Sequence, residues 1–419
     1  MQILNIVMQQ IKRRVGIIGA LSYSGANFAL TFLLQAAVPA SDFGLYAFAL
    51  ICIQFGISLS NALFASPIVV SLVDLKTNRL EVIGSYFWIN LIFIGLATFA
   101  MCLTLILLGM AWNLIVIVSI QAIAIWMRWF IRAVELAEKR FTMAAWADVS
   151  YGFITIISGI ILFSLNGINE LNVLSAMAIG AIFSAFIIGR KGWSFSNILA
   201  NRSMQKYRDA FNQHGRWALV GVVTTEIMAN LHVYVLTLYL GPTYFAPVAT
   251  LSLFFRLIPI LMQSITQYER PVLAKFYYAG DFHLMRSNVQ SIHFLLLGAV
   301  VLNTLAVAVI IKLNPILIGG GQYSPSLLWP ILVLLSLGQL VRSLRTGSSA
   351  ALQGAGKYKL LALVTVMSAP VTLILSALVL VFMSEVINGI LFSVLIGEVV
   401  TCILISHIYK KLLSEKKFR

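Results

Sequence analysis

From about residue 15 onward the chain is a succession of apolar blocks of about 20 residues, the length a helix needs to cross roughly 30 Å of hydrocarbon. The blocks fall at about 15–37, 43–66, 82–109, 113–132, 147–165, 171–189, 216–240, 244–268, 291–313, 326–345, 359–383 and 385–409. None shows the sustained apolar/polar alternation of a lipid-facing barrel strand. In lipid the remaining way to satisfy every backbone polar group is a helix. The pattern predicts an all-α polytopic membrane protein with about 12 transmembrane helices. Ahead of the first block, MQILNIVMQQIKRR carries Lys12, Arg13 and Arg14 after its apolar residues, the reverse of a cleavable signal peptide. It predicts a short amphipathic helix on the cytoplasmic surface.

Inside four blocks, polar residues recur at helical spacing. Ser24, Asn27, Thr31 and Gln35 mark one face of the first helix, and Gln54, Ser58 and Asn61 one face of the second. Glu226, Asn230 and Thr237 do so on the seventh, and Ser252, Arg256, Gln263 and Gln267 on the eighth. Such stripes are costly against lipid, so they either bind helices together or line a wet cavity.

Three charged residues fall at mid-span: Glu226, Arg256 and Glu398. At ~1.5 Å per residue, Glu226 lies about 15 Å from one face and Arg256 about 18 Å from the other. A charge at the bilayer centre costs at least ~2.5–3.5 kcal/mol, so each needs a reason. Arg256 has two readings: a structural ion pair with Glu226, or a cation that grips an anionic substrate while Glu226 holds it ready. Glu398 is either a proton-coupling site, a role Glu226 shares, or an acid held neutral by burial. His232 lies off the Glu226 face and reads as a packed, neutral side chain. Helices one to six contain no mid-span acid.

The chain also repeats itself. VPASDFGLYAFAL at 38–50 and LGPTYFAPVATLS at 240–252 share a helix breaker, a small polar residue and an aromatic before an apolar run. Aligning Phe43 with Phe245 pairs Gln54 with Arg256 and Asn61 with Gln263, and AEKRF at 137–141 echoes AGKYK at 355–359. The organisation predicted is an amino-terminal six-helix lobe at 1–189, a cytoplasmic linker at 190–215 and a carboxy-terminal lobe at 216–419. Six is even, so both lobes enter from the same side and the repeat is parallel.

Composition narrows the function. Sixty per cent of the 419 residues are hydrophobic and 10% charged, more apolar surface than a soluble domain can hide. Every lysine and arginine except Arg256 and Lys312 falls in alternate loops or at their helix ends, which predicts cytoplasmic placement of those loops and of both termini. The net charge of +15 and the pI near 9.9 therefore read as topology determinants rather than a nucleic-acid footprint.

Arg128 and Arg132, with Trp126 and Trp129, and likewise Arg342 and Arg345, sit at inside helix ends. They read either as interface anchors or as a greeting for an anionic headgroup at the cytoplasmic mouth. Cys52, Cys102 and Cys402 lie within spans without metal or redox spacing and read as packing residues. QGAGK at 353–357 lacks the spacing and the preceding strand of a phosphate loop, and reads as a turn. The GGG at 319–321 requires permissive backbone or a close helix approach. With no catalytic triad, carboxylate dyad or metal cluster at a water-exposed end, the chain reads as neither an enzyme nor a cofactor or metal protein.

Two six-helix lobes, the DFGLY and GPTYF turns, the GGGQYSPS loop at 319–326 and the QGAGKYK loop at 353–359 together resemble the polysaccharide transporter family. These are O-antigen and exopolysaccharide flippases of the multidrug, oligosaccharidyl-lipid and polysaccharide exporter superfamily. The resemblance implies a V-shaped pair of lobes whose first, second, seventh and eighth helices line a central cavity. It implies alternating access that moves an undecaprenyl-diphosphate-linked oligosaccharide from the inner to the outer leaflet of a bacterial inner membrane, for surface polysaccharide biosynthesis. Substrate contacts would then come from Arg256, Glu226, Gln54, Asn61, Asn27, Gln263 and Asn230. Partners would be the lipid-linked oligosaccharide, membrane lipids and a polysaccharide polymerase or chain-length regulator, with no nucleic acid. The alternative is a cation-coupled antiporter of the multidrug and toxin extrusion type, which would favour acids in the amino-terminal lobe. A membrane glycosyltransferase or O-antigen ligase would need a large outside loop, and the longest here is about a dozen residues.

Overall fold

Apolar blocks of this length become helices wherever Gly and Pro do not interrupt them, and the computed structural model is helical accordingly. It describes residues 2–65, 67–68, 79–138, 140–190, 207–208 and 211–415. Most of the predicted 190–215 linker, Lys76 and the basic run from 416 lie outside these residues. In chain order the helices are α1 (Gln2–Ala37), α2 (Ala40–Ser60), α3 (Arg79–Leu107), α4 (Trp112–Ala137), α5 (Phe141–Asn166) and α6 (Glu170–Arg190). Then follow α7 (Arg216–Val235), α8 (Pro242–Phe254), α9 (Leu257–Ala279), α10 (Phe282–Leu313), α11 (Pro325–Gly354), α12 (Tyr358–Phe382) and α13 (Val386–Glu415). Among the described residues ten helices are long and apolar enough to span a membrane, or eleven spans if the bent pair α8–α9 counts as one. With α1, the chain has the 12-element plan that the hydrophobic pattern predicts.

One boundary differs from the sequence reading. The predicted surface helix at the amino terminus does not separate from the first span, and both belong to the single helix α1. No proline stands between Lys12 and Ala37 to end it.

The chain divides into two compact units, Met1–Leu219 and Val220–Arg419. In the first, α1 packs on α5, α5 and α4 pack on α6, and α2 and α3 pack on α4. The second repeats most of this plan: α12 and α11 pack on α13, and α9 and α10 on α11. The exception is the opening helix. A Cβ at Gly152 of α5 would meet the backbone of Ser22 on α1, so glycine there permits a close helix approach. Among the described residues α7 has no comparably extensive interface with any single helix of its unit. Its connections are local: Thr224 and Thr365 hydroxyls 2.9 Å apart, and Ser368 Oγ donating to Met228 Sδ at 3.5 Å.

Both punctuated turns are explained by backbone chemistry. Pro39 caps α2, and Gly241, at φ 101°, precedes Pro242 at the start of α8, where a missing N–H costs nothing. Gly319, Gly320 and Gly321 all adopt positive φ, so that loop needs glycine at three consecutive positions. Near the other end of the predicted linker, Tyr207 stacks on Phe211 and meets Tyr86 edge-on in the aromatic core of the first unit.

Candidate functional site

The eighth span is broken, and Arg256 sits at the break. Helices α8 and α9 meet at 56°. Pro259 is the third residue of α9, so it cannot donate to the Phe255 carbonyl and its ring would clash there in a continuous helix. The backbone tightens instead, with Phe255 and Arg256 amides bonding Ser252 and Leu253 carbonyls at 3.1 Å. Arg256 is half-buried, and its Nη1 is buried with no hydrogen-bond partner.

The expected Glu226–Arg256 ion pair is not formed among the described residues. Glu226 Oε2 accepts from Asn230 Nδ2 at 3.0 Å, one turn along α7. The two charges that hydropathy placed at similar depth therefore belong to separate local arrangements. On the remaining stripes, Gln54 and Gln263 are exposed, while Asn61, in a π-turn at 61–65 that ends α2, accepts from Trp129 Nε1 at 2.7 Å. The side chain of Gln267 lies outside the described residues.

On the first helix, two residues of the stripe bind neighbouring helices. Ser24, Asn27, Thr31 and Gln35 are all buried. Tyr151 Oη of α5 donates to Asn27 Oδ1 at 2.7 Å, and Thr31 and Tyr46 hydroxyls share a bond at 2.9 Å. Asn27 is thus a structural residue of the amino-terminal unit, with its acceptor already satisfied.

The fourth helix of each unit carries a buried arginine cluster rather than a pair of interface anchors. Arg128 is 0% exposed. It is ion-paired with Asp148, its Nε donates to Ser184 Oγ at 2.8 Å, and its guanidinium lies over the rings of Tyr23 and Tyr151. Arg132 Nε reaches the other oxygen of Asp148 at 3.1 Å. Trp126 is buried too: its Nε1 donates to the Ile53 carbonyl at 3.0 Å, and its ring fills the space that Gly56 leaves. In the second unit, Arg342 Nε and Arg345 Nη1 hold the two oxygens of Glu398 at 2.9 and 3.1 Å. Glu398 is thus neither isolated nor a simple neutral acid. These arrangements bury Arg128 inside its unit and tie Arg132, Arg342 and Arg345 to carboxylates. His232 is buried, as expected.

Asp148 is a buried acid of the first unit that the sequence reading does not single out. It lies about two turns inside α5 and is 3% exposed. Its signal was present in the two arginines one turn apart on the preceding helix, which demand a buried counter-charge.

No family model matches the sequence, and no curated protein matches it either. Solved structures do. An inward-facing multidrug resistance transporter of the MATE family and MOP superfamily superposes with a TM-score of 0.70 at 14% identity, covering 95% of each chain. A Vibrio cholerae MATE transporter, solved as a mutant, gives 0.68 at 15% identity over 97% of this chain and 96% of its own. A MOP superfamily transporter from Pyrococcus furiosus, described as having a binding pocket of reverse polarity that suggests a different function, gives 0.66 at 15% over 97% and 95%. The chain has the fold of the MOP superfamily transporters. At 14–15% identity these likenesses carry the fold alone.

Proposed function

We propose that the protein is a transporter that works by alternating access and that Arg256 lies at its substrate site. Arg256 carries the reading: an intramembrane guanidinium, at a break in a spanning element, with a buried donor facing no carboxylate. Discontinuous helices whose ends and side chains meet charged substrates are a recurring device of secondary transporters. A half-buried guanidinium with a buried, unpartnered Nη1 favours the visit of something anionic.

For the cargo, fold likeness favours a cation-coupled multidrug antiporter over a lipid-linked oligosaccharide flippase, because the solved neighbours are multidrug transporters. At 14–15% identity that likeness carries the fold and not the cargo. The charges of this chain point the other way. Asp148 and Glu398 are each neutralised by two arginines, whereas Arg256 bonds no acid among the described residues. We therefore infer an anionic amphipathic cargo, with an undecaprenyl-diphosphate-linked oligosaccharide as the specific reading and multidrug antiport as the second. The polysaccharide partners, the bacterial inner membrane and the cytoplasmic termini belong to the same proposal.

The test is a proteoliposome assay of two cargoes in parallel, a fluorescent polyprenyl-diphosphate sugar and a cationic dye under a proton gradient. The expected outcome is translocation of the lipid, lost at least tenfold in Arg256→Gln and partly kept in Arg256→Lys, where charge survives without the fork. Gradient-driven dye transport that survives Arg256→Gln, with no lipid movement, would replace this reading by the multidrug one.

A further inference from the structure

Helices α9 and α10 line an open groove of about 390 Å³ with one charged side chain, Glu269, among its lining residues. Its walls include Ile265, Phe276, Leu284 and Leu295, and its polar side holds Glu269 and Asn288. Asn288 Nδ2 donates to Glu269 Oε2 at 3.0 Å. Leu284 and Leu295 are exposed, so the groove is open along its length, and it straddles the ends of the predicted spans at 268 and 291.

Four acids on other elements are held by arginine, whereas Glu269, like Glu226, bonds an asparagine amide. Glu135, Glu138, Asp148 and Glu398 each meet at least one arginine guanidinium. The partner of Glu269 is an amide, which donates a hydrogen bond and supplies no charge. A half-buried carboxylate among apolar walls calls for a cation, and a cation with an apolar tail meets both needs.

Depth agrees. Asn288 lies about 9 Å from the start of α10, and at 32 residues that helix is about 48 Å long, well beyond the ~30 Å of hydrocarbon. The carboxylate therefore falls near the level where headgroups meet chains. From Asn288 to Leu295 the groove runs about 10 Å along the helix towards the hydrocarbon, room for the first part of an acyl chain.

We propose that this groove binds a membrane lipid whose headgroup carries a primary ammonium, with the ammonium on Glu269 and one chain along the apolar walls. The site is separate from Arg256, and the inference does not depend on the cargo.

The test uses the full chain in nanodiscs with equal phosphatidylethanolamine and phosphatidylglycerol. Lipid retained after detergent extraction is counted by native mass spectrometry, and a photoreactive-chain phosphatidylethanolamine maps its position. Wild-type protein should retain phosphatidylethanolamine at least fivefold over phosphatidylglycerol and crosslink within 265–295. Glu269→Gln should abolish the preference, and Ser291→Trp, which fills the groove, should abolish the crosslink. Polyprenyl phosphate, repelled by the carboxylate, should not compete. Equal retention of both lipids by wild type, crosslinks elsewhere, a preference that persists in folded Glu269→Gln, or displacement by polyprenyl phosphate would each overturn the proposal.

Discussion

Arg342 connects two helices through one guanidinium: its Nε donates to Glu398 Oε1 on α13 at 2.9 Å, and its Nη2 to the Ala229 carbonyl on α7 at 3.2 Å. Ala229 lies between Glu226 and His232, so the buried ion cluster of the second unit is bonded to the helix that bears the candidate-site acid. In the first unit the equivalent arginine reaches its opening helix through the ring of Tyr23 instead.

Glu398→Gln leaves two arginines without their shared counter-charge inside the second unit. Breaking a buried pair from one side costs about 3–5 kcal/mol. The expected result is a clear fall in thermal stability of the detergent-purified protein, with less protein in the membrane. An unchanged melting profile would show that the cluster is solvated and not structural.

Asp148→Asn separates structure from coupling in the first unit. Held by Arg128 and Arg132, Asp148 is predicted to behave as Glu398 does, losing stability on neutralisation at any pH where the carboxylate is charged. A stable Asp148→Asn protein that fails only in gradient-driven transport would instead make it a coupling acid, in line with multidrug antiport.

Cysteine accessibility distinguishes wet stripes from glue. In a background lacking Cys52, Cys102 and Cys402, cysteines at Gln54 and Gln263 should react with polar maleimides, because both positions are exposed. Cysteines at Asn27 and Thr31 should be protected, since both native side chains are buried and bonded. Equal labelling of all four would remove the distinction.

Topology follows from the basic loops. Reporter fusions after residues 200 and 415 should score cytoplasmic, and one near Gln322 external. An external signal after residue 200 contradicts both the span count and the parallel repeat.

The spans and the repeat were legible because each depends on a local property, a run of apolar residues or a breaker beside a small polar residue. What surrounds a polar face is not local. The spacing of Asn27 and Thr31 shows that they share a side of a helix, but not that Tyr151, 124 residues away, covers Asn27. Asp148 escaped notice because hydropathy set the start of the fifth span at 147, whereas the helix begins at Phe141. Pro259 is visible in sequence, yet a proline can kink a helix or part it, and only the backbone shows that Arg256 stands at a parting. The carboxylate partners of the Arg128 and Arg342 clusters are hidden for a related reason: an arginine near a span end has the same spelling whether it faces headgroups or an acid inside the unit.

The unequal seating of α1 and α7 has a consequence for how the molecule comes apart. Lifting α1 away from α5 means parting a close helix contact and stranding the Asn27–Tyr151 bond, whereas freeing α7 gives up a handful of side-chain bonds. In the language of sub-global opening, α7 occupies a lower rung: its amides should exchange with solvent deuterium earlier than those of α1 at the same depth. Of the two opening helices, the one that carries Glu226 is then the more easily detached, and any ligand that orders it would slow that exchange without altering α1.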